Sequence, residues 1–105
     1  MIRTLSDADF VPEMRENTDP IVVMFTGSWC PPCKRMKPVF EDMAEQMQGD
    51  IRFAEMDIEQ AEKTANELGI RSVPSLVLFA DGMIREIHVG TMNKTELRLW
   101  IQENI

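Results

Sequence analysis

Two spacings of apolar positions divide the chain into strands and helices. Unbroken apolar runs, which are typical of strands covered on both faces, occur at residues 21–25 and 76–79. Further strands are predicted at residues 2–5, 51–58 and 83–89, the last of these joined to its predecessor by a hairpin turn at Asp81 and Gly82. The pattern thus predicts one sheet that contains both buried strands and a hairpin.

Apolar residues recur every three or four positions between the strands, which predicts amphipathic helices. Ser6 and Asp9 are spaced as a capping box, so a first helix should begin there. A second helix follows the two cysteines and ends near Gly49, a third occupies residues 61–68, and a fourth begins at Asn93. The residues that these helices should bury are Phe10, Met14, Phe40, Met43, Ala44, Met47, Ala61, Ala65, Leu68, Leu97, Trp100 and Ile101.

The order of these elements is β-α-β-α-β-α-β-β-α, which predicts the fold class. Strands that alternate with helices form parallel sheets, and a hairpin at the end of the chain adds antiparallel strands. We therefore expect an α/β protein with a mixed central sheet and helices on both faces. Since no linker, repeat or low-complexity tract interrupts the pattern, residues 1–105 should form a single domain.

Composition narrows the possible partners and the compartment. The net charge of −7 argues against a nucleic-acid partner, because phosphates repel an acidic surface. No apolar run approaches the length of a membrane span, and the chain begins without the pattern of a signal peptide. Two cysteines cannot form the disulfide framework of a small secreted protein, so they indicate a redox pair in a reducing compartment. We expect a cytoplasmic monomer that binds neither nucleic acid nor membrane.

Both cysteines lie at the junction between a predicted strand and a predicted helix. Cys30 and Cys33 are three residues apart, so on a helix they share one face. At the start of the helix, free backbone N–H groups and the positive end of the helix dipole should lower the pKa of Cys30 below its usual value of about 8.5. Lys34 adds a cation one turn further on. This arrangement favours an attacking thiolate at Cys30, which should be exposed, with Cys33 one turn inward.

A metal site is the main alternative for the two thiols. A closed zinc site needs four ligands, and besides Cys30 and Cys33 the chain offers only His88, on a distant predicted strand. A metal shared across a dimer stays open on this reasoning, but the spacing favours redox chemistry, and we predict no metal site.

Several motifs resemble the thioredoxin family. Trp29-Cys30-Pro31-Pro32-Cys33-Lys34 is similar to the family's active site, in which the position of Pro31 is usually glycine. Other matching residues, in family order, are Phe25 before the site, Pro38 in the following helix, Val73-Pro74-Ser75 as the substrate-side turn, Asp81-Gly82 and Val89-Gly90. The resemblance covers nearly the whole chain.

This resemblance implies a thioredoxin fold and a general protein-disulfide reductase. Cys30 would attack disulfides in other proteins and Cys33 would resolve the mixed disulfide, without a bound cofactor. A flavin- and NADPH-dependent thioredoxin reductase would recycle the pair. The resemblance also implies a cis bond before Pro74. The residues expected to contact substrate are Trp29, Pro31, Pro32, Val73, Pro74, Gly90 and Met92.

Two positions depart from the family pattern. The family usually has a buried aspartate on the strand that leads to the cysteines and a lysine on the neighbouring strand, where this chain has Met24 and Glu55. Glu55 shares strand parity with Phe53, so it should face an apolar layer, where a carboxyl group has a raised pKa. We predict that Glu55 is the catalytic group that takes the proton of Cys33. The alternative is a solvated Glu55, with water serving Cys33.

Two other functions remain open on the sequence. The same chemistry with the opposite redox poise would make the protein a thiol oxidase or isomerase. Alternatively, the fold could serve as a binding subunit of another enzyme, with incidental thiols. Trp29 likewise could be a core residue, although its place beside the thiol favours a contact surface.

Overall fold

A five-stranded mixed sheet forms the centre of the protein, which a computed structural model describes over residues 2–105. The strands are β1 (Ile2–Thr4), β2 (Ile21–Thr26), β3 (Arg52–Asp57), β4 (Ser75–Ala80) and β5 (Met83–Val89). The α-helices are α1 (Pro31–Gln46), α2 (Glu62–Leu68) and α3 (Lys94–Asn104). The strand order is β1-β3-β2-β4-β5, with β1, β3 and β2 parallel and β4 and β5 antiparallel to their neighbours. The predicted fold class is confirmed.

The sheet separates two apolar layers. Alternate residues of β2 point to opposite faces, so Val22 and Met24 pack with α1 and α3, whereas Val23 and Phe25 pack with α2. Because both faces are covered, the β2 side chains from Ile21 to Phe25 are buried. The residues that follow the carboxyl end of β2 are therefore attached to a strand that is packed on both faces.

The prediction of a first α-helix, beginning at Ser6, is wrong. Ser6 N–H donates to the Asp9 carboxylate, as in a capping box, but this contact starts only a 3₁₀ turn, Asp7–Asp9, followed by one π-helical turn, Val11–Arg15. Pro12 has no N–H and crowds the preceding turn, so it opposes a regular α-helix. Phe10 and Met14 are nevertheless buried, as predicted.

Trp100 differs from its predicted place in the core. It is only partly buried and packs edge-on against His88, with ring centroids 6.3 Å apart. Leu97 and Ile101, on the inner side of α3, are fully buried. His88 belongs to β5, which is an edge strand, so the sheet ends there and leaves the outer side of the indole uncovered.

The start of α2 is capped from a distant part of the chain. Ala61, at the N-cap position, has no side chain that can accept the free N–H groups of the first turn. Asp7 accepts them instead, from Thr64 N at 2.8 Å and Lys63 N at 3.3 Å, and it also accepts the Thr64 hydroxyl at 2.7 Å. The hydrogen bonds from Thr64, above all from its hydroxyl, lower the pKa of Asp7.

Within residues 2–105, no helix has the length and the apolar character that crossing a bilayer requires.

Candidate active site

The candidate site begins where β2 passes into α1. Cys30 N–H donates to the carbonyl of Gly27 at 3.3 Å, which turns the chain from the strand into the helix. Cys30 is then the N-cap residue, with extended backbone angles, and Pro31 and Pro32 occupy the first turn. Prolines are accepted there because the first N–H groups of a helix have no partner within it. The sequence Cys-Pro-Pro-Cys thus encodes the start of this helix.

The two cysteines form a disulfide bond, with Cα atoms 5.2 Å apart. The N–H of Cys33 donates to Cys30 Sγ at 3.2 Å, so the first sulfur accepts one of the free N–H groups at the helix start. Cys33 sits one turn later, where its side chain faces the core. The predicted positions of the two thiols relative to the helix are therefore confirmed.

The predicted exposure of Cys30 is wrong. Cys30 is 2% exposed and Cys33 is 3% exposed, so accessibility does not distinguish them. Cys30 Sγ lies 3.6 Å from the carbonyl oxygen of Val73, so after reduction its S–H group can donate a weak hydrogen bond to that oxygen. The loop that contains Val73 therefore covers the sulfur from the side opposite α1.

The loop before β4 and the loop after β5 are joined beside the disulfide. The Val73–Pro74 peptide is cis, and Pro74 is buried. Gly90 N–H donates to the carbonyl of Pro74 at 2.9 Å. On the other side of Pro74, the buried Ser75 donates its hydroxyl to the carbonyl of Ser72 at 2.6 Å. These bonds place Val73, Pro74 and Gly90 together on the disulfide side of the sheet.

Met36 joins this surface to α1, a role that the sequence analysis missed. Met92 N–H donates to Met36 Sδ at 3.4 Å, across 56 residues of sequence. Both residues are buried, so the thioether supplies a partner to an N–H group that water does not reach. Met36 was not among the residues that helical spacing predicted to be buried, and no local signal indicates that its sulfur is an acceptor.

Trp29 lies on the surface, which is necessary if it contacts a target protein. It is 63% exposed, so the alternative of a core tryptophan is wrong. Its ring packs over Gly27, where an added Cβ would lie 3.2 Å from the indole. Pro31 and Lys34 are also exposed, and Pro32 is partly buried. Gly27 is a second residue that the sequence analysis missed, although a glycine just after a strand is a signal of close packing.

Glu55 lies on β3 directly opposite Met24 of β2, and it shares a sheet face with Phe53. Its environment is more polar than the sequence suggested, because the side chain is only partly buried and accepts a hydrogen bond from Thr4 Oγ1 at 3.4 Å. It lines an open depression of about 420 Å³, whose other walls are Ile2, Lys37, Glu41, Ala44 and Glu45. These walls do not include either cysteine. The catalytic role of Glu55 therefore stays a prediction.

Comparison with known proteins identifies the family. The family model described as Thioredoxin matches residues 1–103. The chain belongs to the thioredoxin family. It is 32% identical to a thioredoxin of Rickettsia prowazekii over 105 residues, the full length of both chains. It is 31% identical to a thioredoxin of Pseudomonas aeruginosa, over 99% of this chain and 96% of that one.

The cysteine pair is consistent with this thioredoxin-family membership. Cys30 and Cys33 are the only cysteines of the chain, and they are joined by a disulfide at the start of α1. The protein is a dithiol–disulfide oxidoreductase that acts on protein disulfides.

Proposed function

We propose that the protein reduces disulfides in other proteins through attack by Cys30. The observation that carries this assignment is the hydrogen bond from Cys33 N–H to Cys30 Sγ at the first turn of α1. In the reduced protein, the same N–H group and the positive end of the helix dipole stabilise a thiolate at Cys30. Cys33 is already part of the helix, so its sulfur does not receive this stabilisation.

The exchange takes place in two balanced steps. The Cys30 thiolate attacks one sulfur of the target disulfide, so the Cys30–target bond forms while the target disulfide breaks and releases one target thiolate. After Cys33 loses its proton, its thiolate attacks Cys30 Sγ, which forms the Cys30–Cys33 disulfide and releases the second target thiolate. The two released thiolates take up protons, so the target gains two electrons and the protein loses two.

The surface beside Cys30 is suited to an extended target segment. Val73 and Gly90 lie beside the disulfide, and Trp29 offers a flat exposed ring. We assign substrate contact to the set predicted from the sequence, which is Trp29, Pro31, Pro32, Val73, Pro74, Gly90 and Met92. Because Cys30 is buried, a target has to displace part of this cover before the sulfurs meet.

A test of the attacking thiol compares the two cysteines directly. Limiting iodoacetamide at neutral pH should label Cys30 of the reduced protein well before Cys33, because the thiolate is the reacting form. A Cys33→Ser variant should accumulate a mixed disulfide with insulin, whereas a Cys30→Ser variant should neither accumulate it nor reduce insulin. Preferential labelling of Cys33, or a trapped complex in Cys30→Ser, would reverse the assignment.

The measured reduction potential tests the direction of the reaction. A reductase requires a potential low enough to reduce its targets, whereas a thiol oxidase or isomerase has a higher one. We expect the protein to reduce insulin with electrons supplied by a flavin- and NADPH-dependent thioredoxin reductase. A potential in the range of strong thiol oxidants would contradict this direction while leaving the attacking thiol unchanged.

Glu55 is proposed as the group that takes the proton of Cys33, by way of water in the depression that it lines. The expected result for Glu55→Gln is slower resolution of the mixed disulfide with a changed pH profile, because glutamine cannot accept a proton. Glu45→Gln, which alters another carboxylate of the same depression, is the matched control. Equal pH profiles for the parent and both variants would show that bulk water serves Cys33.

The remaining parts of the proposal concern the catalytic unit, the need for a cofactor and the cellular compartment. Both thiols and the loops around them belong to a single chain, so the monomer is a complete catalytic unit, and thiol exchange requires no bound cofactor. A protein whose only cysteines form a reducing pair suits the cytoplasm, where thiols are kept reduced.

A further inference from the structure

Strand β5 is an edge of the sheet with an unusually apolar surface. Four of its seven residues are exposed hydrophobic side chains, namely Met83, Ile84, Ile87 and Val89. Exposed edge strands with apolar side chains are sites at which another strand can pair. The question is therefore which strand fits this edge.

The backbone groups of β5 that face the open edge can be identified. Ile87 N–H donates to the carboxylate of Glu86 at 3.1 Å and so points away from β4. In the register with β4, Ile84 is opposite Phe79 and Ile87 is opposite Val77. Those two β4 residues are two positions apart and therefore have the same backbone orientation, so Ile84 and Ile87 share theirs. Both present N–H and C=O groups to the open edge.

The charged residues between them lie at a shift in register. Glu86 is opposite Leu78, on the other face of the sheet from Ile84 and Ile87, and Arg85 is the extra residue at the β-bulge. The segment Ile84-Arg85-Glu86-Ile87 is thus complementary to an antiparallel copy of itself. In that alignment each isoleucine is opposite an isoleucine, and each arginine is opposite a glutamate.

We propose that β5 pairs antiparallel with β5 of a second copy of this chain, around a two-fold axis between Arg85 and Glu86. Ile84 is then opposite Ile87 of the second copy, and these are the residues with outward backbone groups, so each pair can exchange two hydrogen bonds. Arg85 is opposite Glu86 of the second copy, and the symmetry creates this pair twice. The result is a continuous sheet through both chains.

Charge selects this register over its neighbours. A shift by one residue in one direction places Glu86 opposite Glu86, and a shift in the other direction places Arg85 opposite Arg85. Like charges directly opposite each other destabilise a pair of strands, whereas opposite charges stabilise it. A foreign strand need not carry the complementary order, so the pattern favours a second copy over an unrelated peptide.

Two existing contacts have to be exchanged when the strands pair. Arg85 forms an ion pair with Asp81 at 2.9 Å, and both side chains are largely exposed, so this pair contributes little. The Glu86 carboxylate leaves Ile87 N–H, which then donates to a backbone carbonyl of the second copy. Neither exchange leaves a buried polar group without a partner.

The active sites remain free in this arrangement. The site lies beyond the carboxyl end of β5, where Gly90 contacts Pro74, and in the proposed register Val89 is opposite Gly82 of the second copy. The two disulfides therefore lie at opposite ends of the paired strands. The dimer differs from the monomer expected from the sequence, but each chain keeps a complete catalytic unit.

Sedimentation velocity over a concentration series tests the proposal with charge reversals. The parent should show a reversible monomer–dimer equilibrium. Arg85→Glu alone and Glu86→Arg alone should each raise the dimer dissociation constant roughly tenfold or more, because each replaces two opposite-charge pairs with two like-charge pairs. An equimolar mixture of these two single variants should form a heterodimer, and the double variant should recover the homodimer.

Glu62→Arg, at an exposed position of α2, is the control for the change in net charge and should leave the equilibrium unchanged. Insulin reduction should be the same in all these variants, which checks that each one is folded. A parent that stays monomeric throughout, or a dimer that the single reversals do not weaken, would overturn the proposal. Dimers formed equally well by each single variant and by their mixture would do the same.

Discussion

The thioether of Met36 allows a direct test of how α1 holds the loop after β5, which contains Met92. Met36 is 1% exposed and accepts a hydrogen bond from the N–H of Met92, which is 7% exposed. Leucine has nearly the same volume as methionine and no acceptor atom. Met36→Leu therefore keeps the packing of α1 and removes the only partner that the structure gives to the Met92 N–H among its described residues.

The expected size of the effect follows from two terms. A volume-conserving exchange of methionine for leucine costs less than about 1.5 kcal/mol in a core. Leaving a buried N–H without a partner costs about 1–3 kcal/mol, and sulfur is a weak acceptor, so the lower limit of about 1 kcal/mol applies here. At that limit, local opening at Met92 becomes roughly fivefold more frequent.

Amide hydrogen exchange, followed residue by residue by NMR, measures this opening. Met43→Leu is the matched control, because Met43 lies on the same helix, is equally buried and belongs to the same core cluster. Exchange at Met92 should accelerate in Met36→Leu and not in Met43→Leu. If the loop positions substrate, KM for a protein disulfide should also rise in Met36→Leu while kcat stays unchanged. Equal acceleration of Met92 exchange in both variants would refute the reasoning, because it would show a general loss of packing.

Two further predictions concern stability. Gly82→Ala should lower the free energy of unfolding clearly more than Gly69→Ala. Both glycines have positive φ angles, 77° and 73°, but only a Cβ at Gly82 would overlap the carbonyl oxygen of Arg15. Equal losses of unfolding free energy in urea would contradict this steric reason. Asp7→Ala should lower Tm at neutral pH, and the difference in Tm from the parent should narrow in acid. The hydrogen bonds from Thr64 lower the pKa of Asp7, so their contribution to stability is lost as pH falls through that lowered pKa. A difference in Tm that is constant from neutral pH to below about 3 would contradict this reasoning.

The order of the elements, the mixed sheet and the Cys-x-x-Cys at the start of a helix could all be predicted from the sequence. These features depend on residues a few positions apart, whose spacing reflects a single strand or helix. Among the secondary-structure elements, the prediction failed at the first helix, where two signals conflicted. At the first helix the capping box of Ser6 and Asp9 favoured an α-helix, and Pro12 allowed only 3₁₀ and π-helical turns.

The tertiary structure alone decided how the site is enclosed. The burial of Cys30 depends on a carbonyl at Val73, the N–H of Met92 depends on a sulfur at Met36, and the start of α2 depends on a carboxylate at Asp7. The partners in these contacts are 43, 56 and 57 residues apart, so no local pattern records them. Sequence periodicity indicates which face of each element is buried, whereas the hydrogen-bond partner of a buried atom depends on which loops the assembled sheet brings together.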